Sequence, residues 1–211
     1  MAGIRLEKFS KYFSFRKAGL IEDFSAALNE TLGSAQDGLF VTKMMWPHRN
    51  NLAQALGFGR DSAAEFAAIF PNTRWINVTR RDKFGQAISY WRAQETDQWQ
   101  SAGSQAQSAP ELEYDFGKIR KCFVELSGHD LLWQDFHNLA GTAPYEVVYE
   151  AFLRDAEGGL QDLLTFVDSH RLRNGLQDGE LHTRPAIAKQ RDALSRQFKQ
   201  RFLSDLYQTG F

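Results

Sequence analysis

Cysteine is nearly absent from this chain: Cys122 is the only one in 211 residues. A single thiol excludes an internal disulfide framework and fits a reducing compartment. Charge excess of either sign is missing too. Lys and Arg number 25 against 26 Asp and Glu, a formal net charge of −1. No overall field therefore attracts nucleic acid or an anionic membrane, and any basic site must be local. No apolar run approaches the ~20 residues of a membrane span. The amino end, MAGIRLEKFSKYF, has no apolar core of signal-peptide type. The expectation is a cytoplasmic protein with no membrane span and no nucleic-acid partner. Histidine is sparse: His48, His129, His137, His170 and His182 are scattered and offer no ligand spacing around His129-Asp130, so no metal is expected. Finally, no G-x-x-x-x-G-K-[ST] or comparable Ser/Gly-rich turn follows a predicted strand.

What is present is enough apolar residue, 43% against 24% charged, to bury a real core. Length favours one domain spanning 1–211. Hydrophobic periodicity predicts helices over Gly19 to Gly33, Asn50 to Leu56 and Ser62 to Phe70. Further helices follow Asp82 and cover Glu113 to Ala140, Ala156 to Val167 and Ile187 to Leu206. Short apolar runs predict strands at Gly38 to Trp46, Trp75 to Thr79 and Tyr145 to Tyr149. Ser101 to Pro110, SAGSQAQSAP, reads as a loop, and His170 to Pro185 as irregular. Helices alternating with such strands indicate an α/β fold, a parallel sheet flanked by helices. Ligands of such sheets sit beyond the strand carboxyl ends. Lys43, Met44, Met45 and Trp46 lie at one such end, and Arg80-Arg81 at another.

The segment Asn77 to Trp99, NVTRRDKFGQAISYWRAQETDQW, carries the strongest signal. Two arginines end a strand, Asp82 can cap the next helix, and Ser89 lies further along it. Successive strand residues face opposite ways, so one arginine is expected to point at a ligand. Gly85, Ser89 and Arg92 share a helical face, and Gly85 removes a side chain where a ligand can approach. The apolar stripe of the same helix is Phe84, Ala87, Ile88 and Trp91. Fixed cations beside a hydroxyl suit a phosphate-bearing ligand. The alternative is a surface arginine pair near Asp82 with Ser89 exposed. Cys122, near the stripe of a long helix, reads as a buried structural thiol.

Arg81, Asp82, the run Gln86 to Ala93 and Trp99 resemble the signature of bacterial carbohydrate sulfotransferases related to trehalose 2-sulfotransferase. Lys43-Met44-Met45-Trp46, Val147 to Glu150 and Lys189-Gln190 with Arg191 to Phe202 resemble other segments of that family, in order. The resemblance implies a P-loop-like sulfotransferase architecture and transfer of a sulfuryl group from 3′-phosphoadenosine 5′-phosphosulfate (PAPS) to a carbohydrate or glycolipid hydroxyl. It implies that Arg81 or Arg80, with Ser89, holds the 3′-phosphate, that Lys189 and Gln190 flank the nucleotide, and that the enzyme is a homodimer. Lys43, Trp46, Trp91 and Arg92 are candidates for the acceptor side; the tryptophans read mostly as core or pocket wall, and Trp46, Trp91 and Trp99 also as faces for stacking on a sugar ring. Lys43 reads equally as a snorkelling surface lysine, and Lys189-Gln190 as a solvated helix face. Gly3, Glu7 and Phe9 match a segment whose glutamate is the family's proposed general base, with Arg5 and Lys8 replacing its Pro and aromatic. Otherwise Glu7 is an exposed residue on a terminus. The family's first strand and phosphate loop have no counterpart before Glu7, which predicts an architecture with both missing. Two readings follow: an active sulfotransferase represented by a fragment, or a degenerate, non-catalytic binding or interaction module. A nucleotide kinase of phosphate-loop type would need the loop and its lysine.

Overall fold

The computed structural model describes residues 41–59, 62–69, 73–99, 112–167 and 193–209. The expected helix at 19–33, the loop at 101–110, the irregular segment at 170–185, Glu7, Lys189 and Gln190 lie outside the described residues. The fold is helix-rich α/β with a small parallel sheet. Its described elements are α1 (Trp46–Ala55), α2 (Ala63–Ala68), β1 (Ile76–Thr79), α3 (Lys83–Thr96), α4 (Phe116–Ala140), β2 (Tyr145–Val148), α5 (Tyr149–Phe152), α6 (Ala156–Phe166) and α7 (Ala193–Thr209). β1 pairs with β2. Parallel neighbours need a long crossover, and α3 and α4 occupy it.

The strand expected at Gly38 to Trp46 is not formed by its described part. Residues 41–45 have no regular structure, and Trp46 opens α1. Pro47 is the physical reason. A proline ends a strand, but it also fits the first helical turn, where its fixed φ is right and its missing N–H is not needed. His48 reinforces the start: its Nδ1 accepts the Met45 backbone N–H at 3.4 Å. Burial, then the nearby Lys43 charge, lower the His48 pKa, which favours the neutral, accepting imidazole.

The described residues fall into two compact units. The first comprises those up to 75, 135–145 and 160–167; the second comprises 76–134, 146–159 and 193–209. In the first unit Leu52, Ala53, Ala63, Phe66 and Phe136 are buried. Phe66 meets Phe136 edge-on at 6.0 Å, and Trp75 meets Phe136 at 5.4 Å. Arg49 is buried among these rings, only 3% exposed. Its guanidinium lies over Trp46, Phe66 and Phe136 at 5.2, 4.9 and 5.1 Å, and its Nε has no hydrogen-bond partner. Burial lowers its pKa.

The second unit is built on α3 and α7. The expected stripe of α3 is inside: Ala87, Ile88 and Trp91 are buried, with Phe84 packed beside them. Phe198, Phe202 and Leu206 recur every four residues along α7, and that spacing turns them to the same core. Ile119 and Cys122 of α4 complete it. At ~25 cal/mol per Å² of buried apolar surface, aromatic side chains dominate this core. Among the described residues, no helix is long and apolar enough to cross a membrane.

Candidate functional site

The turn between β1 and α3 is fixed from two sides. Asp82 is the N-cap of α3, and its Oδ1 accepts the Gly85 N–H at 2.9 Å. The Lys199 ammonium of α7 donates to the same oxygen at 2.7 Å. From the other side comes Glu150 in α5, directly after β2. Its carboxylate accepts the backbone N–H of Arg81 at 3.0 Å and that of Asp82 at 3.2 Å. Burial alone would raise the Glu150 pKa. Backbone donors from Arg81, Asp82 and Glu150 itself, with the Arg80 charge, outweigh it and hold the carboxyl below its usual value.

Gly85 has a different reason from the one its position suggests. A Cβ there would meet the Asp82 carboxylate, Oδ2 at 2.6 Å and Cγ at 2.9 Å. The glycine clears space for the capping side chain. Asp155 and Gly158 repeat the device. Asp155 Oδ1 accepts the Gly158 N–H at 2.9 Å, and a Cβ on Gly158 would lie 2.3 Å from Oδ2.

Arg80 and Arg81 follow the end of β1 and have different surroundings. Arg80 is half-buried; its guanidinium lies over the Tyr149 ring at 4.6 Å, and its Nε is buried without a hydrogen-bond partner. Arg81 is exposed and its guanidinium has no partner among the described residues. It lines an open groove of about 620 Å³ with Asp82, Lys83, Phe84, Phe123 and Lys199. Phe84 and Phe123 form a stacked pair, 4.9 Å between centroids and 13° between planes. Lys199 is paired with Asp82, and Lys83 with Asp130 and Gln86. Among the described residues Arg81 is thus the cation of this groove without a side-chain partner, and the lining has a positive balance, three cations to one carboxylate.

Of the other site candidates described in the same unit, Ser89, Trp91 and Arg92 do not line this groove. Ser89 is half-buried on α3 and does not line it. Arg92 donates from Nη1 to Ser195 Oγ at 2.5 Å, which commits it to α7. Trp91 corrects the sequence expectation: it is 2% exposed and packs edge-on against Phe198 at 5.7 Å. Its indole is core and is not presented to a sugar. Trp46 is half-buried under Arg49 at the start of α1, and Lys43 is exposed. Trp99 is 56% exposed, beside Tyr90 at 5.8 Å, and its Nε1–H donates to Asp97 Oδ1 at 2.9 Å. Glu150 was not singled out from sequence. The signal was there in part: an acid one residue past the end of a strand, where it can reach the backbone of its neighbour.

Asp130 is engaged by Lys83, and among the described residues no group of three or more His, Cys, Asp or Glu is placed to hold a metal ion. Cys122 is buried, with Sγ 3.3 Å from Gln94 Oε1. Burial, then the Glu125 charge, push its thiol pKa up, away from the reactive thiolate.

The family model described as Stf0 sulphotransferase matches residues 16–205. The trehalose 2-sulfotransferase of Mycolicibacterium smegmatis (strain ATCC 700084 / mc(2)155) is 26% identical over 188 residues, covering 86% of this chain and 67% of that protein. Arg80, Arg81, Ser89 and Glu150 fall inside the matched span. Glu7 falls before it.

Proposed function

Because this chain belongs to the Stf0 sulphotransferase family, we propose that it transfers a sulfuryl group from PAPS to a carbohydrate hydroxyl. The observation that supports the donor assignment is the exposed Arg81 guanidinium at the carboxyl end of β1, without a partner among the described residues, on a turn held by Asp82 and Glu150. Parallel sheets place ligands there, and guanidinium is the side chain best shaped to grip a phosphate. In this reading Arg81 holds the 3′-phosphate and Arg80 stiffens the turn through Tyr149; Ser89, which does not line the groove, is a second ligand by resemblance alone. Lys189 and Gln190 flank the nucleotide.

The acceptor is a sugar, as the name of the mycobacterial relative suggests. Trp99 offers the exposed indole face for stacking. The reaction is an in-line displacement. The acceptor oxygen forms a bond to sulfur, the bond from sulfur to the phosphate oxygen breaks, and 3′-phosphoadenosine 5′-phosphate (PAP) leaves with that electron pair. The hydroxyl proton passes to a carboxylate, for which Glu7 is the candidate by resemblance. Positioning and charge stabilisation dominate such transfers. The proposed assembly is a homodimer, supported by the resemblance and by Val124, Leu131, Leu132 and Leu139, apolar residues exposed along α4.

Calorimetric titration of wild type, Arg80→Ala and Arg81→Ala with PAP and with adenosine 5′-phosphate tests the donor site. Arg81→Ala is expected to weaken PAP far more than adenosine 5′-phosphate. Equal losses for both nucleotides would remove the 3′-phosphate assignment.

A further inference from the structure

We propose that Glu150 is a positioning residue for the anion site: it holds the turn from which Arg81 reaches a phosphate. The inference rests on the donor-site reading above and deepens it. Consecutive backbone N–H groups at a strand end commonly bind anions themselves. In this turn two of them, on Arg81 and Asp82, are already taken by the Glu150 carboxylate at 3.0 and 3.2 Å. A phosphate at this strand end must therefore be gripped by side chains, and the carboxylate serves as a built-in anion that orders the backbone before the ligand arrives.

The partners are far apart in sequence. Glu150 follows β2 and the amides follow β1, so one side chain ties together the carboxyl ends of both strands of the sheet. The Asn77 amide does the same for the strands themselves, donating to both Glu146 oxygens at 3.0 Å. The geometry also explains how an acid is tolerated beside an anion site. Both of its oxygens accept backbone donors, and the Arg80 charge favours its ionised form. Its net repulsion on a phosphate is small compared with the ordering it supplies, because a misplacement of about 1 Å costs heavily at such sites.

The test uses the whole chain, titrated with PAP and with adenosine 5′-phosphate. Glu150→Ala is expected to raise the PAP Kd about tenfold and the adenosine 5′-phosphate Kd less than twofold. Glu150→Gln, whose carboxamide oxygen still accepts one amide, is expected to fall between wild type and Glu150→Ala, and it serves if the alanine variant does not fold. A merely structural role would weaken both nucleotides alike and would overturn the proposal. Unchanged or tighter PAP binding would overturn it too, since that means the freed amides serve the ligand as well as Arg81 does. Wild type that binds neither nucleotide defeats the donor-site reading itself, and this inference with it. Wild type that prefers PAP, with variants that match it, defeats only the role of Glu150.

Discussion

Lys199 Nζ lies 2.7 Å from Asp82 Oδ1, the oxygen that also accepts the Gly85 N–H. One carboxylate thus begins α3 and ties it to α7. Asp82→Ala removes both bonds and is expected to cost about 1–2 kcal/mol, the usual range for a lost cap plus a partly exposed ion pair. Asp82→Asn keeps the accepting oxygen and loses only the charge, so it should cost less than half as much. Urea unfolding of both variants checks this; equal costs would show that the cap contributes nothing.

Arg49 is a buried cation whose guanidinium lies over three aromatic rings. Three cation–π contacts offset part of its desolvation, but its Nε is unpaired. Arg49→Met keeps the volume and is expected to stabilise the fold by about 1 kcal/mol. Arg49→Ala leaves a cavity and is expected to destabilise it by about 2 kcal/mol. Thermal unfolding distinguishes them, and a destabilised methionine variant would mean that the charge itself is needed.

Cys122 is 4% exposed and its thiol pKa is raised. At pH 7.5 iodoacetamide should label the native protein at least tenfold more slowly than the urea-unfolded chain. Comparable rates would contradict the packing of α4 against α3 and α7.

The Glu150 carboxyl has its pKa lowered in the fold, so it contributes stability that is present above its unfolded value, about 4.5. That contribution is lost as pH falls through the lower, folded value. Between pH 5 and 3 wild type should therefore lose more stability than Glu150→Gln, measured by denaturant midpoints. A parallel loss in the two proteins would mean that the two amide bonds do not favour the ionised form.

Local pattern was enough to read β1, α3, α4, β2 and α7. Each is an apolar run or a stripe of the right period, and Asp82 was legible as a cap from its place before that stripe. Four features resisted for different reasons. Pro47 is compatible with both a strand end and a helix start, and only neighbours beyond the local sequence decide between them. Trp91 belonged to two lists, the inward stripe of α3 and the sugar-stacking tryptophans; burying a large ring against Phe198 settled it as core. Glu150 acts on backbone 69 residues away in one bond and 68 in the other, a relation that no helical or strand period encodes. The role of Gly85 was hidden likewise, because the group it avoids is the side chain of its own cap.

The donor site is tested most directly by titrating the purified chain, wild type and Arg81→Ala, with PAP and with adenosine 5′-phosphate at fixed ionic strength. Wild type should bind PAP at least tenfold more tightly, and Arg81→Ala should bring the two nucleotides to within about threefold, a loss of ~1 kcal/mol or more from the 3′-phosphate alone. Equal affinity of wild type for both nucleotides, or an undiminished preference in the variant, would contradict the account.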